Sequence, residues 1–116
     1  MPTKLPAIQA RWRITEMEEY DADYIDMVVP AFIELDTGNR GRFQFGAVEG
    51  EIDYRVTERK TGPLLVEWSW VGNDGGDRIS GRGWCVLEKP DKLVGRFFIH
   101  DGDDTGFKAK RAKSAK

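Results

Sequence analysis

The sequence predicts an all-β fold in which an eight-stranded antiparallel up-and-down meander closes into a barrel. Short apolar runs alternate with polar residues at a period of two, and turn sequences separate them at intervals of about 12 residues, which is typical of all-β sandwiches and barrels. No connection is long enough to hold a crossover helix between parallel strands. An open meander would leave two unpaired edges, and pairing the first strand with the eighth removes both.

The strands and their connections follow from this alternation. The first strand places Trp12 and Ile14 on one face, and the fourth places Ile52, Tyr54 and Val56 on one face. The eight predicted strands are Arg11–Met17, Ala31–Asp36, Arg42–Val48, Glu51–Arg59, Leu64–Val71, Ile79–Glu88, Leu93–His100 and Thr105–Arg111. The connections that carry turn residues are Thr37–Gly41, Glu49–Gly50, Lys60–Pro63, Gly72–Asp77, Lys89–Asp91 and Asp101–Asp104.

One segment does not alternate. Glu18–Val29 is acidic and has a weak helical period over Met17–Met27, so it predicts a short helical turn or a lid that ends before Pro30. The main alternative to a closed barrel is a strongly curved open sheet wrapped over the part of this segment from Tyr20 to Met27.

Length and composition indicate one ordinary globular domain. The chain has 116 residues, of which 40% are hydrophobic and 33% are charged, and it has no apolar run of the roughly 20 residues that a membrane span requires. No signal-peptide core opens the sequence. Its single cysteine, Cys85, excludes an internal disulfide and a cysteine-cluster zinc site. We therefore expect a cytoplasmic domain over residues 1–116, with flexible termini at residues 1–9 and 112–116, and no membrane partner.

Charge is distributed unevenly along the chain. Five of the 18 basic residues fall in the last nine residues, which contain none of the 20 acidic residues, so the body of the protein is acidic. An acidic surface repels phosphates, and nucleic acid is therefore not an expected partner.

Several strands carry large apolar side chains on both faces. Leu93, Phe97 and Ile99 lie opposite Val94 and Phe98 on the seventh strand. In so small a domain, two-sided apolarity indicates that something covers the outer face, either the acidic segment or another subunit. The sequence thus favours a homo-oligomer, and a dimer in particular.

A ligand site in the barrel mouth is the sharpest functional hypothesis. Some charged residues lie on the same face of their strands, and aromatic residues such as Trp12 and Phe45 could form the walls of a cavity. This combination is typical of a small-molecule pocket. The candidate ligand-binding residues are Glu67, Trp70, Arg82, Trp84, Arg96 and His100. If the face of Arg82 points inward, Glu67 is its natural ion-pair partner, because an unpaired buried charge is costly. A one-residue bulge would reverse that orientation.

Two alternatives compete with a ligand-binding barrel. The chain has four tryptophans, six phenylalanines and three tyrosines, so a filled barrel that serves structure or assembly is the first alternative. The second is a small enzyme that uses His100 with Asp103 or Asp104, which otherwise form a polar turn. No catalytic residue, metal site or cofactor is assigned, and Cys85 is expected to be a buried, inert thiol.

Short stretches resemble known families. The strand layout resembles the avidin-like and lipocalin-like barrels, with Val66–Ser69 (VEWS) and His100–Lys108 (HDGDDTGFK) supporting the avidin comparison. This resemblance implies small-molecule binding in the barrel mouth, but the biotin-binding pattern cannot be placed on this chain. Gly41–Gly46 (GRFQFG), Ser80–Trp84 (SGRGW) and His100–Asp104 (HDGDD) resemble a family of small bacterial β-barrel proteins, which implies no activity.

Overall fold

Eight antiparallel strands form a closed barrel in the computed structural model, which describes residues 8–57 and 61–112. The strands are β1 (Arg11–Met17), β2 (Phe32–Leu35), β3 (Arg40–Phe45), β4 (Val48–Thr57), β5 (Leu65–Asp74), β6 (Asp77–Lys89), β7 (Lys92–Ile99) and β8 (Asp104–Arg111). Each strand pairs with the next in sequence, and β1 closes the barrel by pairing with β8, so that Met17 lies opposite Phe107. The predicted all-β class, meander and closure are confirmed.

Aromatic rings pack the interior of the barrel. Phe97 is fully buried, and its ring centroid lies 4.8 Å from that of Phe43 and 4.9 Å from that of Phe107. Trp68 and Phe45 border the same ring at 5.7 and 5.3 Å. The rings form one continuous core along the barrel axis, because the inward positions of neighbouring strands alternate in phase.

Glycines make room for the two interior tryptophans. A Cβ placed on Gly83 would lie 2.6 Å from the indole of Trp68, and one on Gly81 would lie 2.8 Å from Nε1 of Trp70. The face of β6 that carries Gly81 and Gly83 is therefore the inner face, and each indole occupies the space that a side chain on β6 would need.

The acidic segment forms a lid over one end of the barrel. Asp21 caps a single helical turn, α1 (Ala22–Ile25), by accepting a hydrogen bond from the backbone N–H of Tyr24. Ile25 is buried, and its carbonyl accepts a hydrogen bond of 2.9 Å from the backbone N–H of Gly46. The backbone N–H of Glu18 donates to the carbonyl of Gly106, so the lid connects the β3–β4 turn with β8.

Tyr20 of the lid provides a pH-dependence prediction. Burial raises the pKa of Tyr20, and the nearby Asp103 carboxylate raises it further, to about 12. This carboxylate accepts a 3.4 Å hydrogen bond from the phenol. Between the ordinary tyrosine pKa of 10.0 and about 12, the folded protein holds a proton that the unfolded chain loses, so stability falls as the pH rises through this window. We expect Tyr20→Phe to reduce that fall, measured as melting temperature against pH.

The control for this prediction is Asp103→Asn, which keeps the phenol and removes the neighbouring charge. Absorbance titration of this variant should give a Tyr20 pKa below that of the wild type. Both variants keep Cys85, so its thiol contributes equally to the pH dependence of the wild type and of each variant. Identical pH profiles for Tyr20→Phe and the wild type would contradict the prediction.

The turn between β3 and β4 is displaced from its predicted position. It lies at Gly46 and Ala47 rather than at Glu49–Gly50, and Gly46 has a φ of 58°, which favours glycine. Gly50 lies inside β4, where a Cβ would meet Trp70 at 2.8 Å. That glycine is required by core packing, not by a turn.

The connection between β5 and β6 is shorter than predicted. The expected loop Gly72–Asp77 is a two-residue turn at Gly75 and Gly76, with φ values of 60° and 101°. Positive φ at both positions matches the right-handed twist of a hairpin, so the two strands continue almost to the turn. Asp74 consequently lies opposite Asp77.

Some predictions fall outside the described residues. These are the strand end at Glu58–Arg59, the turn residue Lys60, and the flexible termini over residues 1–7 and 113–116. Ile8 is buried, and its carbonyl accepts a hydrogen bond of 3.0 Å from the indole of Trp12. Within the described ranges, no helix has the length and apolarity that a membrane crossing requires.

Candidate functional site

The predicted ligand-binding residues do not converge inside the barrel. Trp70 points inward and is only 2% exposed, packed in the aromatic core. The side chains of Glu67, Arg82, Trp84, Arg96 and His100 have the opposite parity and lie on the outer face or at a strand end. The predicted orientation into the lumen is therefore wrong, because Gly81 and Gly83, not Arg82 and Trp84, face the interior tryptophans.

The predicted ion pair between Glu67 and Arg82 is also absent. In the register of β5 and β6, Glu67 lies opposite Trp84 and Arg82 lies opposite Ser69, so the two charges are diagonal neighbours. In the part of the chain that the structure describes, neither side chain has an ion-pair or hydrogen-bond partner. Both are exposed, so neither needs a partner to avoid a buried charge.

Arg96 joins the lid to the barrel wall. Its guanidinium donates a 2.9 Å hydrogen bond to Asp104 and a 2.8 Å hydrogen bond to Glu18. These two hydrogen bonds raise the pKa of Arg96, so it stays charged. Glu18 also accepts from the backbone N–H of Gly106 at 3.3 Å. The cluster fixes the start of the lid against β7 and β8.

Beside this cluster lies a groove of about 310 Å³, which we call the outer groove. Its floor is backbone, because Gly106 leaves the outer face of β8 without a side chain opposite Arg96. Trp84 and Val94 give it an apolar surface, and charged side chains stand at its rim. The lining residues are Glu16, Glu18, Trp84, Val94, Gly95, Gly106, Phe107 and Lys108.

Of the six predicted residues, Trp84 lines the outer groove and Arg96 borders it. Sequence reasoning missed Glu16, Val94 and Lys108, because only the register of β7 and β8 with β1 brings them together. A signal for Gly106 was available: Thr105, Phe107 and Ala109 alternate as buried residues, which leaves Gly106 as a gap on the outer face.

A second, more polar groove of about 650 Å³ lies on the outer face of the neighbouring strands β2 to β6. Its lining includes the ring of Phe32, which is shielded by the guanidinium of Arg11 at 3.9 Å from its centroid. Its polar rim is formed by Arg42, Gln44, Glu49, Glu51, Asn73 and Arg78. None of the predicted ligand-binding residues lines this groove.

The turn after β7 directs Asp103 and Asp104 away from His100. His100 is 74% exposed and lies 3.4 Å from Asp101, its neighbour in the sequence. Asp103 instead accepts from Tyr20, and Asp104 accepts from Arg96. His100 lines neither of the two grooves, and the described residues hold no cluster of His, Cys, Asp or Glu that could bind a metal ion.

Cys85 lies inside the barrel and is fully buried. Burial raises the pKa of its thiol, so the thiol stays protonated and unreactive near neutral pH. This agrees with the buried, inert thiol predicted from the sequence.

Comparisons with protein-family models, curated proteins and solved structures found no match for this chain. The resemblances to avidin-like and lipocalin-like barrels and to small bacterial proteins therefore stay predictions beyond the shared barrel architecture.

Proposed function

We propose that this protein is a non-enzymatic small-molecule-binding β-barrel whose ligand occupies the outer groove rather than the lumen. The observation that carries the proposal is the position of Trp84, which stands beside a backbone floor at Gly95 and Gly106 in a groove of about 310 Å³. That volume lies at the lower end of the usual range for ligand sites.

The chemistry of the groove favours a flat, uncharged ligand. The carboxylate of Glu18 is engaged by Arg96 at 2.8 Å, and that of Glu16 lies 3.8 Å from the ammonium of Lys108. These pairs leave the apolar surface of Trp84 and Val94 as the main attraction. An aromatic ring system would stack on the indole and lie against the glycine backbone.

The proposal can be tested with three uncharged bicyclic probes: indole, quinoline and coumarin. Of the four tryptophans, Trp12, Trp68 and Trp70 are buried and only Trp84 is partly exposed, so its indole N–H resonance reports on the groove. We expect a probe to shift the resonances of Trp84, Val94 and Gly106, and Trp84→Ala to weaken binding about tenfold.

Two further variants separate the groove from the rest of the surface. Gly106→Val should fill the floor and abolish the shifts, whereas Val71→Ala, on an exposed outer position away from this groove, should leave them unchanged. Shifts confined to residues of the barrel interior, or binding that survives both Trp84→Ala and Gly106→Val, would overturn the assignment.

Assembly is the second candidate function, and two observations favour it. The lumen is filled with aromatic rings, and Phe98 and Val71 remain exposed on the outer face at 37% and 57%. A filled barrel that acts through contacts with another subunit needs no ligand at all.

We also propose a bacterial origin and a cytoplasmic location for this protein. A bacterial, cytoplasmic protein is supported by the quoted sequence stretches and by the free, buried thiol of Cys85. The avidin-like and lipocalin-like resemblance supports ligand binding but not its location. In this barrel the lid lies over one mouth, with Tyr20 packed 5.6 Å from Phe45.

A further inference from the structure

An apolar patch lies on the outer face of β5, β6 and β7. The side chains that form this outer patch share outward parity and are Leu65, Trp84, Val86, Val94 and Phe98. They are contiguous, because Leu65 lies opposite Val86, and Val86 lies opposite Val94. Among the described residues, no second layer of chain covers them. Phe98 is 37% exposed and the other four side chains are partly exposed, and accessible apolar patches of this kind mark surfaces that bind another macromolecule.

Two opposite charges at the edge of this patch have no partner among residues 8–57 and 61–112. Glu67 and Arg82 both flank Trp84, and neither has an ion pair within the described part of the chain. Apart from each other, the charges on the strands that flank them are already engaged. Arg55, directly opposite Glu67 on β4, pairs with Asp53. Asp104, directly opposite Phe98, pairs with Arg96.

We propose that the outer patch binds a second copy of this chain, and that Glu67 of each copy pairs with Arg82 of the other. The argument is charge complementarity. A surface that carries one free acid and one free base side by side is complementary to itself after a two-fold rotation. A different partner would need its own matching pair of charges, whereas a second copy supplies them necessarily.

The register fixes where the two-fold axis would lie. Glu67 and Arg82 occupy diagonal positions about 8 Å apart on neighbouring strands. Glu67, Trp84, Arg82 and Ser69 form the four corners of a rectangle on the two strands. A two-fold axis that places Glu67 of one copy over Arg82 of the other runs close to the diagonal from Ser69 to Trp84. The two Trp84 rings then meet close to the axis, and the small Ser69 side chains give the sheets room to approach.

This interface goes beyond the proposed ligand site but shares Trp84 and Val94 with the outer groove, so a ligand stacked on Trp84 would compete with the second copy. The outer groove extends from Trp84 toward β8 and β1, whereas the charge pair lies on the β5 side of Trp84. A dimer that forms without any ligand binding would therefore contradict only the ligand site. Ligand binding by a protein that stays monomeric would contradict only the dimer.

The test is charge reversal followed by sedimentation velocity on the full chain. We expect a wild-type dimer. Glu67→Arg and Arg82→Glu should each weaken dimerisation by about 100-fold, because each places like charges together at two symmetric positions. The double variant E67R/R82E exchanges the charges and should restore the dimer to within about tenfold of the wild type.

The matched control is Arg78→Glu, which reverses an exposed arginine on β6 outside the patch and should leave the dimer unchanged. All substituted side chains are exposed, so circular dichroism should show an unchanged fold. A wild-type monomer at concentrations up to about 1 mM would overturn the proposal. So would a dimer that both single reversals leave intact, or one that the double reversal fails to restore.

Discussion

Replacement of Phe97 by alanine is expected to destabilise the protein by about 3–5 kcal/mol, the range found for buried aromatic truncations. Phe97 is fully buried and lies among four aromatic rings from three other strands. Its removal would leave a cavity at the centre of the barrel that those rings cannot close. Urea unfolding, followed by tryptophan fluorescence, measures the loss.

The next residue provides a matched control of the same type. Phe98 points to the outer face and is 37% exposed, so Phe98→Ala should reduce the free energy of unfolding by less than about 1 kcal/mol at the same protein concentration. If Phe97→Ala does not fold, Phe97→Leu should still show a loss of at least about 1 kcal/mol. Equal losses at positions 97 and 98 would contradict the assignment of inner and outer faces.

Gly83→Ala is the second substitution with a large expected effect, a loss of about 1–3 kcal/mol. A methyl group at this position would lie 2.6 Å from ring atoms of Trp68, which is buried and cannot move aside. Trp68→Phe should relieve this overlap. The double variant should therefore lose less stability than the sum of the two single variants, by about 1 kcal/mol in a double-mutant cycle.

Gly106→Ala is the control for this comparison. Its methyl group would meet the flexible ends of Arg96 at 3.2 Å and Glu18 at 3.7 Å, and the Gly95 carbonyl oxygen at an ordinary contact distance of 3.7 Å, so stability should change by less than about 0.5 kcal/mol. If Gly83→Ala and Gly106→Ala behaved alike, the close approach of Trp68 to β6 would not be a determinant of the fold.

The fold could be predicted because its signals are local. Alternation identified each strand, and the distribution of turn residues identified most connections. The segment Glu18–Val29 was distinguished by its lack of alternation and forms the lid. The errors at Gly50 and Gly72 share one cause. Glycine was interpreted as a turn signal where close packing inside the sheet requires the absence of a side chain: a Cβ on Gly50 would meet the rings of Trp70 and Phe43, and one on Gly72 would meet the backbone of Glu49.

The orientation of the candidate site could not be predicted, because β5 to β7 carry large apolar side chains on both faces. The alternation of side chains then does not show which face of a strand points into the barrel. Trp84 was predicted to line the barrel mouth together with Arg82, which shares its face of the strand, yet the inward neighbour Gly83 lies under Trp68 from the adjacent strand. Pairing a large residue on one strand with glycine on the next is a property of register, which no single strand encodes.

The barrel closes through contacts between the two most distant strands of the sequence. Trp12 lies opposite Arg111, and the backbone N–H of Ala112 donates to the carbonyl of Arg11. During synthesis, a nascent chain whose β8 is still inside the ribosomal exit tunnel exposes hydrogen-bonding edges at both β1 and β7. Closure therefore requires β8 to have left the tunnel, and folding depends on contacts between residues that are distant in the sequence.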